Sequence, residues 1–307
     1  MSNTFLYIIT VVIWGSTWIV INYQLGAVAP EASIAYRFGL AALVLFAVCK
    51  IKKLPLKFSK QQHIQLFAFG LTLFGCNYYF LYNAQQHINS ALTCIAFSLL
   101  LFFNVINARI WFNTKVTKEV YIGGLLGLLG MITLFWPQVS NTTLGADTLF
   151  GIALCIVGTL FASTGNMLSI KNQQLKLPLL SANAWAMAYG ATFMAIMVIV
   201  QGKSFDFSFT FSYISSLLYL SIFGSVIAFG CYLTLLNRIG AHQASYANIL
   251  FPAVAVVIST FVEGFSWSIH TVLGLIFIVM GNLVVLTKPK KEKEKNMPRP
   301  VTQTEIS

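Results

Sequence analysis

The sequence predicts an all-α integral membrane protein, with ten transmembrane helices arranged as two inverted five-helix repeats. Three observations predict it. First, 57% of the 307 residues are hydrophobic and only 9% are charged, with a mean hydropathy of +0.78. A soluble domain carries about 25% charged residues, so this chain has too much apolar surface to hide from water, and the bilayer is its solvent. Second, the apolar residues resolve into ten spans, about 4–22, 32–49, 64–84, 90–110, 120–136, 148–169, 181–200, 213–236, 242–262 and 271–287. A bilayer core needs about 20 such residues per helix. Third, Lys and Arg segregate. With the N-terminus cytoplasmic, 17 of the 19 fall on the cytoplasmic side, Lys203 lies on the other and Arg37 within the second span. Cytoplasmic loops of membrane proteins are the basic ones, so both termini are expected inside, which requires an even number of spans. The same placement answers the net charge of +11. It is loop and tail charge, so nucleic acid is not expected as a partner.

The first span organises the rest. From Phe5 to Asn22 it carries no charge. At about 100° per residue, Tyr7, Val11, Trp14, Gly15, Trp18 and Asn22 share one face. Lipid does not demand such a face; a helix lining a polar cavity uses one, and close packing at Gly15 is the competing use. The second span opens at Pro30 and holds Arg37. In the third, Phe67, Phe74, Asn77, Tyr78 and Tyr82 share a face, and in the fourth Thr93, Phe97, Asn104 and Asn107 do. The fifth carries Gly123 and Gly130. The sixth sets Asn166 beside Gly158, Ala162 and Gly165, and the eighth offers Ser221, Ser225, Phe229 and Tyr232. The ninth has Asn248, Phe251 and Pro252, and the tenth Gly274 and Gly281. The first span has neither a basic start nor a small-residue exit, and reads as a retained helix rather than a signal peptide. The charged tail, 288–307, reads as disordered and cytoplasmic.

The chain also repeats. Trp14-Gly15-Ser16-Thr17 is similar to Phe161-Ala162-Ser163-Thr164, and the Gly123/Gly130 pair recurs as Gly274/Gly281 at an offset of 151. Each unit, 4–136 and 148–287, holds five spans. Because five is odd, the second enters the membrane from the opposite side, as in many secondary transporters.

These motifs, in this order, resemble the EamA-type family of the drug/metabolite transporter (DMT) superfamily. Trp14-Gly15-Ser16-Thr17, Pro30 with Tyr36-Arg37, the two glycine pairs and Ala244-Ser-Tyr-Ala-Asn-Ile-Leu-Phe-Pro252 carry the resemblance, which covers both halves. It implies ten helices, a central cavity lined by spans 1, 3, 4, 6, 8 and 9, a bacterial cytoplasmic (inner) membrane location, and export of small metabolites, often amino acids. Two features depart from the family pattern. The first repeat ends its fourth span Phe112-Asn113-Thr114 where Gly-Glu is common, and the second reads Glu263-Gly264 in reversed order. Leu101 stands where the second repeat has Pro252.

The chemistry-bearing residues exclude several classes. No nucleophile–base spacing, no phosphate-cradling loop and no CxxC pair is present, so no enzyme activity, cofactor or metal is expected. Cys49, Cys76, Cys94, Cys155 and Cys231 all fall in spans, so no disulfide framework is expected. Arg37 is the clear intramembrane ion. It could meet a substrate carboxylate, but the expectation here is a structural role, snorkelling outward or bonding carbonyls. Glu31, Asp147, Asp206, Glu119 and Glu263 sit at span ends or in loops, and the four histidines read as interfacial. The expected substrate site is Trp14, Trp18, Asn77, Tyr78, Tyr82, Phe97, Asn104, Asn166, Tyr232 and Asn248. The function expected is a permease for a small metabolite, an amino acid first, working by alternating access without a proton gradient. A drug or purine efflux carrier is the alternative, and a non-transporting receptor or scaffold the rival class. The expected partners are a small-molecule substrate and the lipid bilayer, with a homo-oligomer left open.

Overall fold

The apolar, charge-free start of the chain folds as one long helix because a bilayer-soluble segment must satisfy its backbone internally. This helix, α1 (Asn3–Asn22), is capped by Ser2, whose hydroxyl accepts from the Phe5 amide. The structure is a computed structural model that describes residues 1–24, 26, 28–88, 90–140, 145–262 and 267–286. Helix α2 (Pro30–Ile51) begins with Pro30, whose missing N–H costs nothing at a first helical position. Helix α3 (Lys60–Ala84) starts with a capping box between Ser59 and Gln62. Then follow α4 (Ser90–Ser98), α5 (Leu100–Phe112), α6 (Lys118–Leu134) and the short α7 (Trp136–Ser140). The second half comprises α8 (Ala146–Gln174), α9 (Leu179–Val200), α10 (Phe211–Ser245), α11 (Ala247–Val262) and α12 (Ile269–Leu286). Among the described residues all regular structure is helical.

Among the described residues, seven segments are long and apolar enough to cross a membrane: Asn3–Ile21, α2, α3, Ile95–Phe112, α8, α9 and α10. Ala247–Ile258 and Ile269–Val285 are shorter apolar helices. The protein is therefore a helical, multi-pass membrane protein. Each stretch read as a span falls on helix to within a few residues, but the helices are not uniform. Residues Leu71–Cys76 of α3 and Leu220–Ile227 of α10 are π-helical. The expected fourth span is interrupted at Leu99, and Gly240 (φ 86°) breaks α10, so residues 241–245 lead into α11. Periodicity alone does not reveal a π turn, because it changes the residue count by one without changing polarity.

Helix pairing follows the small residues, as close approach in lipid requires. Helix α6 lies along α12: a Cβ added to Gly123 would sit 2.6 Å from the Gly281 carbonyl, and one on Gly130 2.8 Å from the Gly274 carbonyl. Helix α2 lies along α9. Helix α1 packs on α10 and α11, with Gly15 against the Phe251 carbonyl (2.9 Å from an added Cβ). In the other half α8 packs on α3 and α5, with Gly158 against Asn77 and Gly165 against Leu73. Tyr7 donates to Asn282 at 2.7 Å and Tyr246, between α10 and α11, to the Val120 carbonyl at 2.6 Å, tying the α6–α12 pair to α1 and to the α10–α11 junction. Arg238 donates to the Met1 carbonyl at 3.0 Å, which puts the chain start and the far part of α10 at one end of the bundle.

Candidate functional site

Helices α1, α3, α4, α8, α10 and α11 surround a cleft. Trp14 and Thr17 come from α1, Asn77, Tyr78 and Tyr82 from α3, and Thr93 and Phe97 from α4. Ala162 and Asn166 come from α8, Phe229 and Tyr232 from α10, and Asn248 and Phe251 from α11. Arg37 of α2 and Gln85 complete the polar lining.

One wall is aromatic. The Trp14 ring lies 5.0 Å from Phe229 and 4.9 Å from Tyr232, centroid to centroid, in edge and tilted arrangements that aromatic pairs favour. Its indole N–H donates to the Gly224 carbonyl at 3.2 Å, inside the π-helical segment of α10. A π turn leaves the α-helical bonding ladder out of register, and here a side chain from another helix supplies a donor. The first half has a local counterpart: Asn77 donates to the Leu73 carbonyl at 3.3 Å in the π-helical segment of α3.

Joined to the aromatic wall through Tyr232 is an amide–hydroxyl network. Asn166 donates to Asn104 at 3.3 Å and to the Tyr232 hydroxyl at 3.2 Å. Asn104 donates to Ser245 at 2.6 Å, and Asn248 donates to the Tyr232 hydroxyl at 3.4 Å and the Ser245 carbonyl at 3.2 Å. Buried polar groups normally find partners. Several cavity groups have none: Asn77 Oδ1, Asn166 Oδ1, the Tyr82 hydroxyl and Arg37 Nη1.

Of the sequence-predicted residues, Trp14, Asn77, Tyr78, Tyr82, Phe97, Asn166, Tyr232 and Asn248 line the cleft together. Asn104 does not; it stands one layer behind, holding Asn166 and Ser245. The Trp18 side chain and Glu263 lie outside the described residues. Of the other faces drawn from periodicity, Phe67 points out of the bundle, Phe74 is buried in the core, and Asn107 is engaged with Ser163 at 2.8 Å.

Arg37 is a correction. The sequence pointed to a structural role, snorkelling outward or bonding carbonyls; the snorkelling is overturned, because the residue is 2% exposed and lines the cleft. Its Nε donates to Ser225 at 2.9 Å, and its guanidinium carbon lies 5.3 Å from the Tyr78 ring centroid and 5.4 Å from that of Phe38. The signal was present in the sequence, since Arg37 is a lone ion within a span. What misled was assigning the second helix to the periphery. Thr17 and Gln85 were also missed, because neither falls on a polar-aromatic stripe.

The profile of the EamA-like transporter family matches residues 1–136 and 149–287, which is most of the chain and both of its halves. The chain belongs to the EamA-like transporter family. Relatives are similar over nearly their full length. The uncharacterized transporter YoaV of Bacillus subtilis is 24% identical over 92% of this chain and 96% of its own. Protein PagO of Salmonella typhimurium is 23% identical, covering 93% of each chain. The uncharacterized inner membrane transporter YedA of Escherichia coli is 25% identical over 89% of this chain and 87% of its own. A solved crystal structure superposes with a TM-score of 0.79 at 16% identity, over 93% of this chain and 96% of that one, which supports the fold alone. This EamA-like chain is thus a membrane transporter by family.

Proposed function

We propose that this protein is a secondary transporter that moves a small metabolite, an amino acid first, by alternating access at the cleft. The observation that carries the reading is the composition of that cleft. Polar and aromatic side chains converge on it from both halves, and their unpartnered groups suit a small polar guest. In this reading the chain crosses the membrane ten times, and residues 4–136 and 148–287 are inverted repeats. Several pairings support that symmetry. Helix α2 packs on α9 and α6 on α12, each with its counterpart, while α1 meets α10 and α11 as α8 meets α3 and α5. Leu71-Thr-Leu-Phe-Gly75-Cys76 and Leu220-Ser-Ile-Phe-Gly224-Ser225 are π-helical at matching places. Rocking the halves about the cleft would expose it to each side in turn.

The basic loops favour a cytoplasmic N-terminus and a bacterial inner-membrane setting, and export is the direction proposed. A drug or purine efflux carrier is the second reading. Arg37 in the cleft weighs against its cationic members, because a buried cation repels another. A scaffold has no need of polar-aromatic inner faces around a cleft, and a receptor would bind a ligand there without flux. Purified protein in proteoliposomes, loaded with radiolabelled amino acids or adenine, tests the reading. Saturable release above protein-free vesicles is expected, and release equal to the protein-free control for every compound would refute transport.

A further inference from the structure

We propose that Arg37 is the docking point for a carboxylate on the transported molecule. The inference rests on the transport reading above and adds what the cleft selects. Arg37 is a buried cation with an incomplete set of partners. Its Nε is bonded to Ser225, but Nη1 has no hydrogen-bond partner. Among the described residues no carboxylate lies within 4 Å of it. Glu31, the carboxylate nearest in sequence, has both its oxygens taken by Lys203 at 2.8 and 2.9 Å. An uncompensated ion in a dry protein interior is costly and persists where it is used. A guanidinium binds a carboxylate through paired N–H donors; Nη1 makes no hydrogen bond, and the Tyr78 and Tyr82 hydroxyls that face the guanidinium are what a carboxylate would displace.

The remaining cleft chemistry fits a zwitterion. Asn77 donates its amide N–H to the Leu73 carbonyl, which fixes its oxygen as an open acceptor suited to an ammonium group. The rings of Phe38 and Tyr78 cover the guanidinium. The carboxylate therefore docks as the Tyr78 ring turns aside into the cleft it lines, and the ion is exposed only to a ligand that pairs with it.

The test measures binding to the purified full chain, by calorimetry and thermal shift, for common L-amino acids against their carboxamides. 3-Phenylpropionate, adenine and ethidium serve as further probes. Free acids are expected to bind about 30-fold or more tighter than the matching carboxamides, the range seen when one partner of a buried charge pair is removed. Arg37→Gln should abolish that preference, and Arg37→Lys should keep part of it, which a purely structural role would not do. If Arg37→Gln fails to fold, the acid–carboxamide preference of the unaltered protein decides alone. Acids and carboxamides binding equally, or a preference that survives in Arg37→Gln, would overturn the proposal and leave transport standing. So would binding of adenine or ethidium alone. No binding and no flux for any probe would overturn the transport reading and this proposal together.

Discussion

At the scale of single residues, the Glu31–Lys203 pair shows how the bilayer setting raises the stakes of one contact. Glu31 is 2% exposed and Lys203 is 35% exposed, so the carboxylate depends on the lysine that reaches it from the α9–α10 loop. Lys203→Gln should destabilise the protein by about 1–3 kcal/mol, because it strands a buried charge. Lys203→Gln with Glu31→Gln should recover most of that loss. Thermal unfolding in detergent checks both, and equal losses in the single and double variants would mean the pair is not coupled. In the cleft, Tyr78→Ala and Tyr82→Ala should each slow flux about fivefold or more, the worth of roughly one lost polar or ring contact. Phe277→Ala, on the lipid-side helix α12, should transport normally. If the tyrosine variants match it, those rings only pack.

At the scale of elements, the decisive contacts are glycines on facing helices. Gly130 and Gly274 let α6 and α12 approach until carbonyls meet the opposite backbone. Gly130→Val should cost about 1–3 kcal/mol or more, since the added carbons have no free volume. Gly145→Ala is the control, because nothing lies within 4 Å of a Cβ there. The expected result is a lower unfolding temperature for Gly130→Val and no change for Gly145→Ala. The π-helical segments are the other element-level feature. The one in α10 sets the Gly224 carbonyl toward Trp14 and Ser225 toward Arg37, and the one in α3 brings Leu73 to the cleft, where a bilayer protein can tolerate irregular backbone.

At the scale of the whole molecule, two predictions concern sidedness and energy. Reporter fusions after Lys57 should report the cytoplasm and fusions after Pro137 the outside, given the distribution of Lys and Arg. A reversed pattern would remove the inverted arrangement. The ionisable side chains lining the cleft are Arg37 and the tyrosines Tyr78, Tyr82 and Tyr232. Neither a carboxylate nor a histidine, the side chains that proton-coupled carriers use, is among the described residues lining it. The carrier should therefore work as a facilitator or an exchanger. An imposed pH gradient with equal substrate on both sides should drive no accumulation in proteoliposomes. Accumulation under that gradient would show a proton carrier elsewhere, with Glu263→Gln as the variant to examine first.

The sequence by itself determined that the chain is helical, that it lives in a bilayer, where its helices fall to within a few residues, and which side chains share a face. The bilayer makes these local properties: length, apolarity and helical period are written along the chain. That is why Trp14, Asn77, Tyr78, Tyr82, Phe97, Asn166, Tyr232 and Asn248 stand out from the residue pattern alone and are found around one cleft. Only the tertiary structure decided which way each face turns. Asn104 shares a stripe with Phe97 yet stands behind the cleft, and Arg37 turns inward where an outward path was expected. The rotation of a helix about its own axis is set by the neighbours it packs against, not by its own residues. The π turns at Leu71–Cys76 and Leu220–Ile227 belong to the same class. They redirect Asn77 and Ser225 by a fraction of a turn; Leu73 holds Asn77 within its own helix, whereas Arg37 and Ser225 meet only when the helices are assembled.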